Sequence, residues 1–223
     1  MELHEDGPLR LIKVGPLGTF ANNAYVIADR DRREALIVDM PVESRRTLEA
    51  AQGLRVTAVL LTHSHPDHWA EYELVKAATG APVRCHPAER ILPAERIDRP
   101  LADGEEIAVG RLAVRVIHTP GHTPGSTCFL VSAEGGFASG GGRYLLSGDT
   151  LFPGGPGHSD RPEDLRQAIA SITSRLFVLP DETPVLPGHG GDTTIGRAKE
   201  EYAVFASRPH PPELCGDVLW ESS

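Results

Sequence analysis

Cysteine is scarce in this chain. Cys85, Cys128 and Cys215 are odd in number and far apart. They form neither a CxxC pair nor a disulfide framework, which fits buried free thiols in a reducing compartment. Long apolar runs are missing too, since no stretch approaches the roughly 18 residues a spanning helix needs. The acidic opening Met1-Glu2-Leu3-His4-Glu5-Asp6 lacks the charged-then-apolar layout of a signal peptide. A soluble cytoplasmic protein with no membrane partner is the expectation. Runs of Lys or Arg are absent, and 31 acidic against 22 basic side chains leave a net charge of −9. Nucleic acid is therefore not expected as a partner, although a metal site can bring its own local positive charge. No linker or composition break divides the 223 residues, and a 40% apolar fraction is ample for a core. One domain over 1–223 is expected, with 207–223 as an extended tail.

What is present reads first as strands. Leu9 to Val14, Asn23 to Ala28 and Ala35 to Asp39 are candidates, the last two joined by the polar turn Asp29-Arg30-Asp31-Arg32. Glu43 to Gln52 has helical composition and Gly53 stands where a helix would end. The apolar run Val56 to Leu61 predicts a strand covered on both faces, followed by a helix over Trp69 to Thr79 and a short strand Pro82 to Cys85. In the second half, Leu112, Val114 and Val116 alternate with Ala113, Arg115 and Ile117, a half-buried strand leading to His118. Ser126 to Val131, Arg143 to Leu146 and Thr183 to Leu186 are further strands, with Glu134 to Gly142 a Gly-rich surface hairpin. Arg161 to Leu176 is the clearest helix. Leu165, Ile169, Ile172 and Leu176 make its apolar stripe, and Asp160 with Glu163 resembles a capping box. Ile195 to Ala206 closes the chain as a helix. Two strand-rich halves with helices suggest two packed sheets with helices outside.

The chemistry concentrates in Thr62-His63-Ser64-His65-Pro66-Asp67-His68. Imidazole nitrogen and carboxylate oxygen suit zinc and its neighbours iron and manganese. A chain leaving a strand points residues i and i+2 the same way, so His63 and His65 can grip one ion. After the turn at Pro66, Asp67 and His68 can face a second position. Three later stretches are alike in kind: Thr119-Pro120-Gly121-His122-Thr123-Pro124-Gly125, Leu146-Ser147-Gly148-Asp149-Thr150-Leu151-Phe152 and Leu186-Pro187-Gly188-His189-Gly190. Each sets a His or Asp in a loop after a strand, with a glycine just before it that permits a sharp turn and close approach.

The set THSHPDH, TPGHTPG, SGDTLF and PGHG resembles the metallo-β-lactamase superfamily over nearly the whole chain. Aspartate at Asp149, where many β-lactamases have cysteine, makes it similar to glyoxalase II, the hydroxyacylglutathione hydrolase, in its single-domain branch. The resemblance implies an α/β fold, an αββα four-layer sandwich of two mixed sheets flanked by helices. It implies that His63, His65 and His122 hold one divalent metal ion, that Asp67, His68 and His189 hold a second, and that Asp149 bridges them, with zinc the leading candidate and iron or manganese the alternatives. A metal-bridged hydroxide would then cleave a small-molecule thioester or related acyl bond, Asp67 steadying it or relaying its proton. Asp39 matches an aspartate that supports a ligand from behind, and His118 is a second candidate for that role or a packed core histidine. His158, past Asp149, is a candidate substrate contact. Glyoxalase II proteins usually carry a C-terminal helical domain that helps bind glutathione, and only a short stretch follows His189 here. In the loop after the bridging aspartate, Pro156 and His158 stand where that family tends to have Cys and Arg, so the thiol carrier stays open. His4 and His210 read as solvated and His86 as structural. Two alternatives share the motifs: a persulfide dioxygenase with one iron on His63, His122 and Asp149, and a lactone or β-lactam hydrolase.

Overall fold

The chain is described by a computed structural model covering residues 1–132 and 143–223; the expected Glu134–Gly142 hairpin lies outside the described residues. Seven strands make the first sheet in chain order: β1 (Glu2–Asp6), β2 (Leu9–Leu17), β3 (Asn22–Asp29), β4 (Glu34–Val38), β5 (Arg55–Leu60), β6 (Val83–Cys85) and β7 (Arg99–Pro100). Its first four strands pair antiparallel and β4 to β7 pair parallel. The second sheet is built from β8 (Glu106–Val109), β9 (Leu112–His118), β10 (Thr127–Ser132), β11 (Arg143–Gly148), β14 (Pro184–Pro187) and β15 (Thr193–Thr194). Only the β11–β14 pair among them is parallel. A small hairpin, β12 (Leu151–Phe152) with β13 (Gly155–Pro156), stands apart. The helices are α1 (Arg45–Ala50), α2 (Tyr72–Thr79), α3 (Pro162–Ser171) and α4 (Ile195–Ala206).

Period-two alternation decides the layering. Tyr25, Ile27, Leu36, Val38 and Leu60 from the first sheet meet Val114, Val116, Phe129, Val131 and Leu186 from the second in one inner core. Their chain neighbours Val26, Ile37, Val59 and Leu61 point outward beneath Tyr72 and Val75 of α2. On the far side, Cys128, Leu130, Leu145 and Val185 pack against Leu165 of α3 and Ala198 and Phe205 of α4. The order is helix, sheet, sheet, helix. Phe129 is fully buried between the sheets, and truncating it to alanine would cost about 3–5 kcal/mol.

Several local expectations are corrected. The predicted Trp69–Thr79 helix begins only at Tyr72, because Pro66–His68 forms a separate single turn. Backbone bonds from Met40 N–H to the His68 carbonyl and from Glu71 N–H to the Met40 carbonyl tie that turn to the end of β4. The Asp160–Glu163 capping box does not form. Arg161 occupies the cap without a side-chain bond, Pro162 opens α3, and Glu163 pairs with Arg161. After Ser171 the predicted single helix widens into a π-helical turn over Ile172–Leu176. Six strands are not marked by the sequence pattern: β7, β12, β13 and β15 are only two residues long, and β1 and β8 are polar edge strands with little buried surface. The tail is an irregular strap, anchored by the buried Val218 and Trp220 and by a bridge between Ser159 and Gly216.

Candidate metal centre

Every ligand loop leaves a strand at one edge of the sandwich. The loop after β5 carries His63 to His68, the loop after β9 carries His122, Asp149 follows β11, and His189 follows β14. In the first group His63 Nε2, His65 Nδ1 and His122 Nε2 form a triangle with edges of 3.1, 2.9 and 3.3 Å. Four donors about 2.0–2.1 Å from a tetrahedral ion stand roughly 3.3 Å apart, so the triangle fits one face of such a shell. In the second group His68 Nε2 and His189 Nε2 are 3.0 Å apart, and Asp67 Oδ2 lies 3.5 and 3.4 Å from them. Asp149 sits between the groups: its Oδ2 is 3.7 Å from His122 and 3.3 Å from His189, its Oδ1 3.4 Å from His68. That Oδ1 is buried and makes no hydrogen bond within the described residues.

The rings are set from behind. His122 Nδ1–H donates to the His158 carbonyl at 2.8 Å, and His189 Nδ1–H to the Phe20 carbonyl at 2.8 Å. Asp39 accepts three bonds, from Thr62 N–H, the Thr62 hydroxyl and His68 Nδ1–H at 2.8 Å. With its proton on Asp39, the Thr62 hydroxyl can accept from His63 Nδ1–H, 3.1 Å away. These acceptors leave the Nε2 atoms of His63, His122 and His189 free to turn a lone pair inward, where a cation removes their mutual repulsion. Asp39 itself has a left-handed backbone, φ +61°, a conformation aspartate tolerates better than most residues. Gly148, at φ +49°, and Gly188 explain two of the glycines: a Cβ on Gly188 would lie 2.3 Å from Asp149 Oδ1, and one on Gly148 2.6 Å from Thr62 Cβ.

Charge separates the two groups. Burial, then the neighbouring His68, hold His63 well below the usual imidazole range, and burial with His122 lowers His65. Burial also opposes charge on His68 and His189, but there the carboxylates outweigh it. Asp149 and Asp39 push His68 up, and Asp149 with Asp67 push His189 up to about 10. Against the burial penalty, His189 and His68 in turn hold Asp67 low, and His68 holds Asp149 low. Protons and metal thus compete for the second group.

His158 lies at the rim of a cleft of about 300 Å³ over His122, Asp149 and His189, its ring against Asp217 and Asp160 at 3.0 and 3.4 Å. His118 is not brought to the cluster. It stacks on His86 with ring centres 3.8 Å apart and donates to the Pro124 carbonyl. Several residues at the site carry no signal in the sequence reading. Asn22 donates to Asp67 Oδ2 at 2.8 Å, and Asn23 and Tyr25 donate to the Pro187 carbonyl beneath His189. Buried Glu89 accepts from the hydroxyls of Ser64 and Thr123, joining the His63–His65 loop to the His122 loop. None sits in a ligand-bearing motif.

Comparison with known proteins agrees on the family. The family model described as "Metallo-beta-lactamase superfamily" matches residues 17–189. The chain is 30% identical to hydroxyacylglutathione hydrolase GloC of Haemophilus influenzae over 88% of its own length and 99% of that protein's. It is 36% identical to the hydroxyacylglutathione hydrolase of a Polaromonas species, covering 76% of this chain and 62% of the relative. Among solved structures, BLEG-1 B3 metallo-beta-lactamase superposes with a TM-score of 0.73 at 31% identity, over 85% and 96% of the two chains. ETHE1 from Myxococcus xanthus does so at 0.71 and 28%, over 89% and 86%. TTHA1623, solved in a di-iron-bound form, gives 0.66 and 32%, over 83% and 96%.

Proposed function

Because the chain belongs to the metallo-β-lactamase superfamily, we propose that it is a metal-dependent hydrolase that cleaves a small-molecule thioester, as its hydroxyacylglutathione hydrolase relatives are named for doing. The observation that carries this is the convergence of two donor groups on either side of the Asp149 carboxylate, whose Oδ2 faces His122 and His189 and whose buried Oδ1 makes no hydrogen bond. In this reading His63, His65 and His122 hold one divalent ion, Asp67, His68 and His189 the other, and Asp149 contacts both. Zinc leads on donor type, with iron the alternative that a di-iron neighbour supports. A pair of divalent ions there would lower the pKa of a water toward neutrality and polarise a carbonyl.

The chain's own residues then do the positioning. Asp67, held by Asn22, is the proton acceptor beside the attacking water. Oxygen of that water bonds to the carbonyl carbon, the carbon–sulfur bond breaks with its electron pair on sulfur, and the thiolate leaves. A thiolate is a weak enough base to need little general-acid help. His158 and Asp217 line the cleft, and in this reading the leaving thiol lies toward them. The free thiols Cys85, Cys128 and Cys215 support a cytoplasmic setting. The described residues contain no helix long and apolar enough to cross a membrane.

A second reading, a mononuclear iron persulfide dioxygenase on His63, His122 and Asp149, draws on the ETHE1 likeness. It leaves Asp67, His68 and His189 without work although all three converge. A lactone hydrolase would use the same groups on a different acyl bond. The deciding assay is hydrolysis of a panel of thioesters and lactones by the purified protein, before and after chelation. Thioester turnover that chelation abolishes and divalent metal restores is expected; turnover of lactones alone would move the reading to the other acyl class.

A further inference from the structure

The cleft above the centre is lopsided in charge. Its lining includes the apolar side chains of Phe152, Pro156, Val218 and Leu219. Among the described residues lining it there is no lysine or arginine, and its one rim charge is the carboxylate of Asp217, 87% exposed. Asp160, 89% exposed, adds a second carboxylate on the other side of the His158 ring. Three cations on flanking segments are paired with carboxylates, Arg161 with Asp164 and Glu163, Lys13 with Asp192, Arg197 with Glu201 and Glu221, and Arg208 donates to the Trp220 carbonyl. Leu219 and Phe20, whose carbonyl holds His189, leave large apolar surface exposed beside this opening. The whole chain adds a net charge of −9.

We infer that the substrate is a thioester whose thiol arm carries no net negative charge, its apolar body lying along Phe152, Pro156, Val218 and Leu219 and its outer end neutral or cationic beside Asp217. The inference rests on the hydrolase reading and narrows it. A glutathione thioester, with two carboxylates against one ammonium, would bring net negative charge to a rim that sets the carboxylates of Asp217 and Asp160 on either side of the His158 imidazole and has no lysine or arginine among its described residues. Like charge at such a rim costs roughly fivefold in binding per contact in water, and more where the wall excludes solvent.

The test keeps the acyl group fixed and varies the thiol's charge: S-acetylglutathione, S-acetyl-N-acetylcysteamine and acetylthiocholine, on the metal-loaded enzyme. The neutral and cationic thioesters are expected to exceed the glutathione thioester in kcat/KM by about tenfold or more at low ionic strength. Raising the salt should shrink that ratio, as screening predicts. Asp217→Lys, at an exposed position where folding is not at stake, should shift the ratio about tenfold toward the glutathione thioester, and Asp160→Lys should do so less. Equal or better turnover of the glutathione thioester by the unaltered enzyme would overturn the inference and leave the hydrolase reading standing. A ratio indifferent to both salt and Asp217→Lys would also overturn it. Hydrolysis of none of the three would sink the underlying reading as well.

Discussion

The two donor groups lie side by side yet are built on opposite principles. His63, His65 and His122 form an all-imidazole triangle in which crowding and burial keep His63 and His65 neutral. Asp67, His68 and His189 form a mixed group in which carboxylates hold both imidazoles protonated when no metal is there. The first is ready to receive a cation; the second must exchange protons for one. Asp149 touches both, so it is the residue through which the difference becomes a single centre.

Removing that shared residue is the largest perturbation. Asp149→Ala should cost on the order of 10³-fold or more in kcat, with loss of metal from both positions by elemental analysis. Full activity and metal content in that variant would dissolve the comparison. Next in size come the paired single-group variants. His122→Ala should keep metal only in the mixed group and His189→Ala only in the triangle, each lowering metal content to about one per chain and activity by at least about a hundredfold. Loss of both metals in each would mean that the positions are not separable.

Smaller effects sharpen the contrast. Asp39→Asn weakens the hold on His68 and is expected to lower metal affinity about 10–100-fold in the mixed group, leaving the triangle closer to wild type. Competition with a chelator for each single-metal variant would read this. Smallest is the pH effect. Below the raised His189 pKa of about 10, a proton must leave before the ring can bind metal. Affinity of the mixed group should therefore climb with pH, by up to about tenfold per unit for each proton released, and more steeply than that of the triangle, where burial already holds His63 and His65 low. Calorimetric titration in buffers of different ionisation enthalpy would show whether more protons are released at the second position than at the first.

Much of this was legible in the sequence because the ligands lie in short segments just past strands. His63 to His68, His122, Asp149 and His189 could each be read from a strand followed by a Gly- or Pro-stiffened loop, and the structure brings all of them together. The layering was legible through alternation such as Leu112-Val114-Val116, whose members face the inner core. What stayed hidden depends on tertiary contact. Glu89 lies remote in sequence from Thr123, and Asn22 from Asp67, with nothing local to announce either bond. The capping box failed because Pro162, which lacks an N–H, takes the first helical turn and Asp160 stands beside His158 instead. His118, four residues before His122, is carried away from the centre because β9 ends between them.

The most direct test of a two-metal hydrolase is metal content of the purified protein measured alongside oxygen uptake on a thiol persulfide. About two divalent ions per chain, with no oxygen consumed, is the result the two-group centre requires. About one iron per chain with persulfide-dependent oxygen uptake would contradict it, and would make Asp67, His68 and His189 a second group without a metal.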